Sequence, residues 1–333
     1  MTRTLALTLA VAGVLASAPA RADGTELRIA TLAPSGSTWS KKLAKASEDI
    51  KEKTEGRVAL KWYEGGTQGD ERDFVRKMGL GQLDGAAVTS VGLSMIDESI
   101  RVLELPGLFE SVEELDYVAD KMWPRFQAEF KKKDYILADR GEVGWVYVLS
   151  KNEIKSIANL KSAKAWLWGD DTIVKALYKK LGVPGVPLGV PEVDAALTSN
   201  RIDACYTSPL AAVALQWSTK VKYRTDLALF YSMGATVLTK KAFEGLTPAD
   251  QKTFLDRMKK SGNDIRKAVR KDNADADKSM ARAGVKVTPF ADKAEFQKQA
   301  EGVWTDLAGK VYPKELLDQV LKYRDEYRAK HKK

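Results

Sequence analysis

The residues able to do chemistry are sparse in this 333-residue chain, and most of the familiar reactive sets are missing. There is one histidine, His331, inside a basic C-terminal tail, and one cysteine, Cys205, in the small-residue run "IDACYTS". A lone terminal histidine cannot act as the base of a Ser/His/Asp set or join a zinc cluster, and nothing lies near Cys205 to activate its thiol. The glycines at Gly65 and Gly66 lack the GK[ST] ending of a phosphate loop, and no dinucleotide fingerprint or metal-ligand spacing is present. Paired acids such as Glu113 and Glu114 read as helix-surface charge. The expectation is a protein with no catalytic residues, no cofactor and no metal. Cys205 is expected to be a buried strand residue, and with one cysteine no disulfide can form within the chain.

Binding chemistry remains, and it concentrates in "KSAKAWLWGDD" at 161–171. Trp166 and Trp168 lie two positions apart at the end of a short strand, so both indoles share one face. Each offers a broad apolar surface and one N–H donor. Gly169, Asp170 and Asp171 then turn the chain into a helix. Trp62 and Trp217 sit inside elements and read as core, as do Trp123 and Trp304.

The elements that must position these groups alternate regularly. "ELRIATLAP" reads as a strand, residues 40–53 as an amphipathic helix with Leu43, Ala46 and Ile50 inward, and "RVALKWY" as a second strand. A helix from about Asp70 stops at Gly81, and "LDGAAVTS" forms a third strand, giving a βαβαβ pattern with a largely parallel sheet. The second half repeats this. A helix over 171–181 is closed by Gly182, and another runs from Pro191 towards Thr198. "NRIDACYTS" then parallels "GQLDGAAVTS", with Asn200 standing where the first half has Gly81. Two α/β lobes can bring the carboxyl ends of their strands face to face, where ligands of such sheets bind. After the N-cap Thr247 and Pro248, no strong stop occurs before Gly284. The segment is one spine of ~50 Å at 1.5 Å per residue, or two helices broken at Gly262. The last helices, near 293–310 and 313–328, are expected to pack on one lobe.

Residues 1–22 read as a secretory signal peptide: Arg3, an apolar run from Leu5 to Ala16, and the Ala20-Arg21-Ala22 cleavage pattern. No later apolar stretch is long enough to span a bilayer. The formal charge is +9, of which Arg3 and Arg21 leave with the leader. The remaining lysines and arginines are interspersed with acids and read as solvated helix faces, so neither nucleic acid nor membrane insertion is expected.

The stretches "YEGGTQGDERDFVRKMGLGQLDGAAVTS", "NLKSAKAWLWG" and "PEVDAALTSNRIDACYTSPLAA" resemble the solute-binding proteins of tripartite ATP-independent periplasmic (TRAP) transporters, across essentially the whole exported chain. The resemblance implies a two-lobed α/β periplasmic-binding-protein clamshell with a long helix spanning both lobes. It also implies capture of a small organic ligand for delivery to TRAP membrane permease subunits. Lobe I is expected over 23–148 plus about 235–270, and lobe II over 149–234 plus about 271–333, with hinges near Leu149-Ser150 and Met233-Gly234 and a bend in the long helix.

Departures from the family pattern decide the expected ligand. The position where relatives usually grip a carboxylate with arginine aligns with Trp166, a second such position offers Trp145 and Val146, and an asparagine position holds Thr207. A carboxylate buried without a cationic partner loses several kcal/mol of hydration, so a more apolar or aromatic ligand is expected. Its candidate site is Ala33, Pro34, Thr89, Ser90, Trp145, Val146, Trp166, Trp168, Asp170, Val190, Tyr206, Thr207 and Met233, with Thr89, Ser90, Thr207 and Asp170 supplying directional hydrogen bonds. The alternatives are a carboxylate held by Arg140, by Lys164 or through a bridging metal, and service to an ABC importer or a membrane sensor.

Overall fold

The structure is a computed structural model and describes residues 24–331. The leader read over residues 1–22 lies outside the described residues. From the first described strand the order is β1 (Thr25–Thr31), α1 (Thr38–Lys53), β2 (Val58–Tyr63), α2 (Glu71–Gly79), β3 (Gly85–Thr89) and α3 (Ser90–Ser94). A 3₁₀ helix at Glu98–Glu104 and α4 (Val112–Lys132) lead to β4 (Tyr135–Leu137) and β5 (Gly141–Ser150). Next come α5 (Ile157–Ser162), β6 (Trp166–Trp168), α6 (Thr172–Leu181), β7 (Val186–Leu188), α7 (Val193–Thr198), β8 (Ala204–Thr207) and α8 (Pro209–Ala214). The chain ends with β9 (Tyr223–Thr239), α9 (Lys240–Glu244), α10 (Pro248–Arg282), β10 (Lys286–Thr288), α11 (Lys293–Leu307) and α12 (Lys314–His331). None of the described helices is long and apolar enough to cross a membrane.

Local signals behave as their chemistry requires. Asp70 caps α2 in a reciprocal box with Asp73, and Thr247 caps α10 ahead of Pro248. Gly81 and Asn200 both adopt left-handed backbone, with φ of 69° and 60°, so the two halves stop their helices in the same way before β3 and β8.

The sheet is less parallel than its sequence pattern implies. Its order is β2-β1-β3-β9-β5-β8, with β4 and β10 also on β9. β1 pairs parallel with β2 and β3, but β9 runs antiparallel to both β3 and β5. The 17 residues of β9 pass unbroken through Met233 and Gly234. Register shifts along β5, between Glu142 and Leu149, put bulges in its pairing with β9 close to the crossing at Leu149-Ser150. The "AKAWLW" strand shortens to β6, which pairs only with β7 and touches β8 through one bridge at Ala165 and Ala204.

α10 is one helix of 35 residues, and Gly262 has a packing role in it. A Cβ there would stand 2.7 Å from the Arg140 carbonyl oxygen and 3.0 Å from the Asp139 Cβ, so glycine admits the segment joining β4 to β5 against the helix. One end of α10 packs Phe254 and Met258 on Leu27, Ile29 and the α1 residues Leu43 and Ile50. Farther along, Asn273 accepts from the Leu210 amide of α8 and donates to the Val143 carbonyl of β5, while Asp277 pairs with Arg224 of β9. The last two helices diverge, contrary to the expectation that both pack on one lobe. α11 lies on α6, where Lys180 meets Asp306 at 2.9 Å, whereas α12 lies on α4, where Tyr117 meets Tyr327 at 5.6 Å between ring centroids.

Candidate functional site

A cavity of about 180 Å³ opens where the carboxyl ends of β1, β3, β6 and β8 converge between the lobes. Thr31 to Pro34 and Ala87 to Thr89 line it from one side, and Trp166, Trp168, Val190, Tyr206 and Thr207 from the other. β5 and β9 cross beneath it with Val146, Phe230 and Ser232, and α10 adds Ile265. This is the position expected of an α/β ligand site.

The second-lobe wall is an aromatic cluster. Trp166 stacks on Tyr206 at 4.7 Å and on Trp168 at 6.1 Å, and the edge of Trp217 meets Trp166 at 5.4 Å. Trp217 is therefore core, as read, and cavity wall as well. Trp166 is 2 % exposed, and its Nε1 donates to the Leu188 carbonyl at 3.0 Å. Trp168 Nε1 donates to Asp70 at 2.9 Å, a bond between the lobes. The expectation that these indoles offer free N–H donors is thus corrected, because both donors are engaged and what the wall presents is ring surface. The Tyr206 hydroxyl is likewise occupied, accepting from the Trp168 amide and donating to Asp171.

The charged groups are those that sequence reasoning missed. Glu71, Arg101, Glu104, Asp139, Glu142 and Asp171 all line the cavity, and Arg101 is the one cationic side chain among its described lining residues. Arg101 and Glu104 stand three residues apart in the otherwise apolar run "SIRVLEL", a signal of a buried charge with a specific partner. Its Nη2 donates to Asp171 at 2.6 Å and its Nη1 lies 3.3 Å from Glu104. Burial alone would lower the Arg101 pKa, but the charges of Asp171 and Glu104 outweigh it and raise it. Asp171 holds its place as the N-cap of α6, accepting from the amides of Ile173 and Val174.

The carboxyl groups are held by backbone. Glu71 accepts from the Thr89 amide at 2.7 Å, the Thr89 hydroxyl at 2.9 Å and the Gly92 amide at 2.6 Å, yet burial still pushes its pKa up to about 8. Burial also raises Glu104, which accepts from the Met233 amide, and lifts Asp139 to about 6 despite two bonds from Thr236. Among the described residues no group of three or more His, Cys, Asp and Glu is placed to hold a metal.

Of the residues singled out from sequence, Ala33, Pro34, Thr89, Val146, Trp166, Trp168, Val190, Tyr206 and Thr207 line this cavity, while Ser90, Trp145, Asp170 and Met233 do not. Strand alternation explains two of the exceptions. Val146 and Ser232 face inward, so Trp145 and Met233 face away, and Trp145 packs edge-on against Tyr231 at 5.1 Å. Ser90 is enclosed in the first turn of α3, and Asp170 pairs with Arg72 of α2 at 2.7 Å. Thr89, expected to offer a hydrogen bond, already donates to Glu71 and caps α3. Arg140 is turned to Asp116 and Asp120, and Lys164 to the Asn200 carbonyl, so neither alternative cation reaches the cavity. Cys205 is buried with its thiol pushed up to about 12, inert as expected.

The chain matches the family described as bacterial extracellular solute-binding protein, family 7 (DctP), over residues 29–310. It is 26% identical over 258 residues to the 2,3-diketo-L-gulonate-binding periplasmic protein of Escherichia coli K12, covering 76% of this chain and 77% of that protein. Among solved structures, an extracytoplasmic solute receptor of Bordetella pertussis that binds pyroglutamic acid superposes with a TM-score of 0.84 at 20% identity, over 91% of this chain and all of that one. The galactonate complex of a sugar-acid-binding protein from Advenella mimigardefordensis gives 0.85 at 19% identity, over 91% and 99%. These likenesses carry the two-lobed fold with its long helix. With 282 residues of this chain inside the matched span, the protein belongs to family 7 of the bacterial extracellular solute-binding proteins.

Proposed function

We propose that this chain is the periplasmic receptor of a TRAP transporter and that it captures a compact, predominantly apolar or aromatic solute for the membrane permease. The observation that carries this reading is the charge balance of the cavity: five carboxyl groups and one guanidinium, the latter already facing two of those carboxyls, beside a cluster of stacked rings. An anionic solute would enter a buried, net acidic site with no unopposed cation, and its desolvation would go uncompensated. An apolar cavity of about 150 Å³ holds a benzene, so about 180 Å³ suits one substituted ring.

Capture would work by closure. The lobes are expected to divide near 23–148 plus 235–270 and 149–234 plus 271–333. In the closed form Asp70 bridges to Trp168 and Val190, and Arg72 to Asp170. A solute that touches both walls favours this form over an open one, and the permease would recognise the closed shape. Export by a cleaved leader over residues 1–22 fits the family's extracellular setting. The solved relatives are shown with organic acids, which supports a second reading in which Arg101 releases Asp171 to grip a carboxylate. Calorimetry separates the two: the first expects no measurable heat with pyroglutamate or galactonate and saturable binding of uncharged monocyclic aromatics, and tight binding of either acid would overturn it.

A further inference from the structure

Arg101 is 1 % exposed, yet its Nε has no hydrogen-bond partner in the protein, and its Nη1 has only the ion-pair contact with Glu104 at 3.3 Å. Such orphaned buried donors are uncommon and call for a partner that is not part of the chain. The residue lines the cavity, as do Thr89 on one side and Trp166 on the other. The guanidinium is fixed from behind. Asp171 is anchored by the first turn of α6 and by Tyr206, and Glu104 is anchored by the Met233 amide, so the unpartnered Nε cannot swing to another acceptor without leaving two buried carboxylates.

Resting on the apolar-solute reading above, we infer that Arg101 is the specificity-determining polar anchor of the cavity, donating from Nε to one uncharged acceptor, such as a carbonyl oxygen, on an otherwise apolar ring. The acceptor must be neutral because the local charge is already closed: Asp171 and Glu104 oppose the single guanidinium. A carboxylate would be a further anion in a group already acidic. A bare hydrocarbon would fill the space and leave the Nε donor unmet, which forfeits the strong term available from a charged donor.

The test titrates the full exported chain at pH 7 with three probes of similar size, acetophenone, benzoate and ethylbenzene, following tryptophan fluorescence. The expected order has acetophenone binding about tenfold tighter than ethylbenzene, with benzoate no tighter than ethylbenzene. In Arg101→Lys, which keeps the charge but loses the planar fork, acetophenone should fall to the level of ethylbenzene while ethylbenzene is unchanged. A structural role for Arg101 would shift both probes together. If acetophenone and ethylbenzene bind the parent chain equally, the anchor is refuted and the apolar reading stands. If benzoate binds tightest and is lost in Arg101→Lys, the neutral acceptor is refuted in favour of a carboxylate. If no ring binds, the apolar reading itself falls. The parent-chain series decides the matter even if the variant does not fold.

Discussion

Arg270 and Arg101 each face two carboxylates, and they are built differently. Arg270 on α10 donates from Nε, Nη1 and Nη2 to Asp116 and Glu142 at 2.7 to 3.0 Å, tying the long helix to α4 and β5. Arg101 also sits between two acids, but only Nη2 makes a well-formed bond. The first cluster is complete in itself and is partly open to solvent. The second is fully enclosed, incomplete and set in the cavity wall. A satisfied ionic cluster is scaffold, and an unsatisfied one at a cavity is a receptor for something not yet present.

The sharpest way to break this distinction is to remove each cation. Arg101→Met and Arg270→Met each strand a buried carboxylate and should cost about 3–5 kcal/mol in denaturant unfolding. Only Arg101→Met should also lose solute affinity, by tenfold or more, because Arg270 holds the frame and touches no solute. Equal losses of affinity in the two variants would erase the difference.

The second contrast is in proton binding. At Asp116 burial acts to raise the pKa, but the bonds and charge of Arg270 hold it below the usual carboxylate range. At Glu71 burial wins and the pKa reaches about 8 against an ordinary 4.5. A raised acid stabilises the fold fully below the ordinary value. That contribution then declines as pH rises, because the unfolded chain releases its proton first, and it is gone near pH 8. Melting curves should therefore show a loss between pH 5 and 8 on the order of a few kcal/mol; Asp139, lifted to about 6, contributes to its lower part, so Glu71→Gln should mainly reduce the loss above pH 6. The carboxylates held low by cations, such as Asp116, act only at more acid pH and leave that window clear.

Smaller effects come from the bridges across the cavity mouth. Asp70→Ala removes a helix cap and two contacts to the other lobe, so it should cost about 1–2 kcal/mol and weaken solute binding several-fold through the closed form. Arg72→Ala breaks a solvent-exposed pair and should change stability by less than about 1 kcal/mol. Small-angle scattering should show both variants more expanded than the parent chain without solute. An unchanged radius of gyration in Asp70→Ala would remove the bridge from the account.

Much of the framework was legible in the residues themselves. Periodicity placed α1, and Thr247-Pro248 placed the start of α10. The matched Gly81 and Asn200 stops exposed the twofold plan, because these features are set within a few residues of chain. What failed to read depended on distant partners. Gly262 left a broken helix open as an alternative, and only the packing of Asp139 and Arg140 against it gives the glycine its reason in an unbroken one. β9 was not anticipated because its sequence pairs with β3 in one lobe and β5 along the crossing, so no single alternation marks it. At the site, the tryptophans announced themselves by type and spacing, but their N–H groups are engaged by Leu188 and by Asp70, the latter nearly a hundred residues away. The replacement of a family arginine by Trp166 suggested a cavity without a cation. Arg101, from a different element, supplies one and neutralises it in the same place.

The most direct test of the central claim is mass spectrometry of the small molecules released on denaturing the protein purified from its own periplasm. A stoichiometric, uncharged compound built on one substituted ring, as a cavity near 180 Å³ suits, is the predicted result. Recovery of a sugar acid or another carboxylate in stoichiometric amount would contradict it.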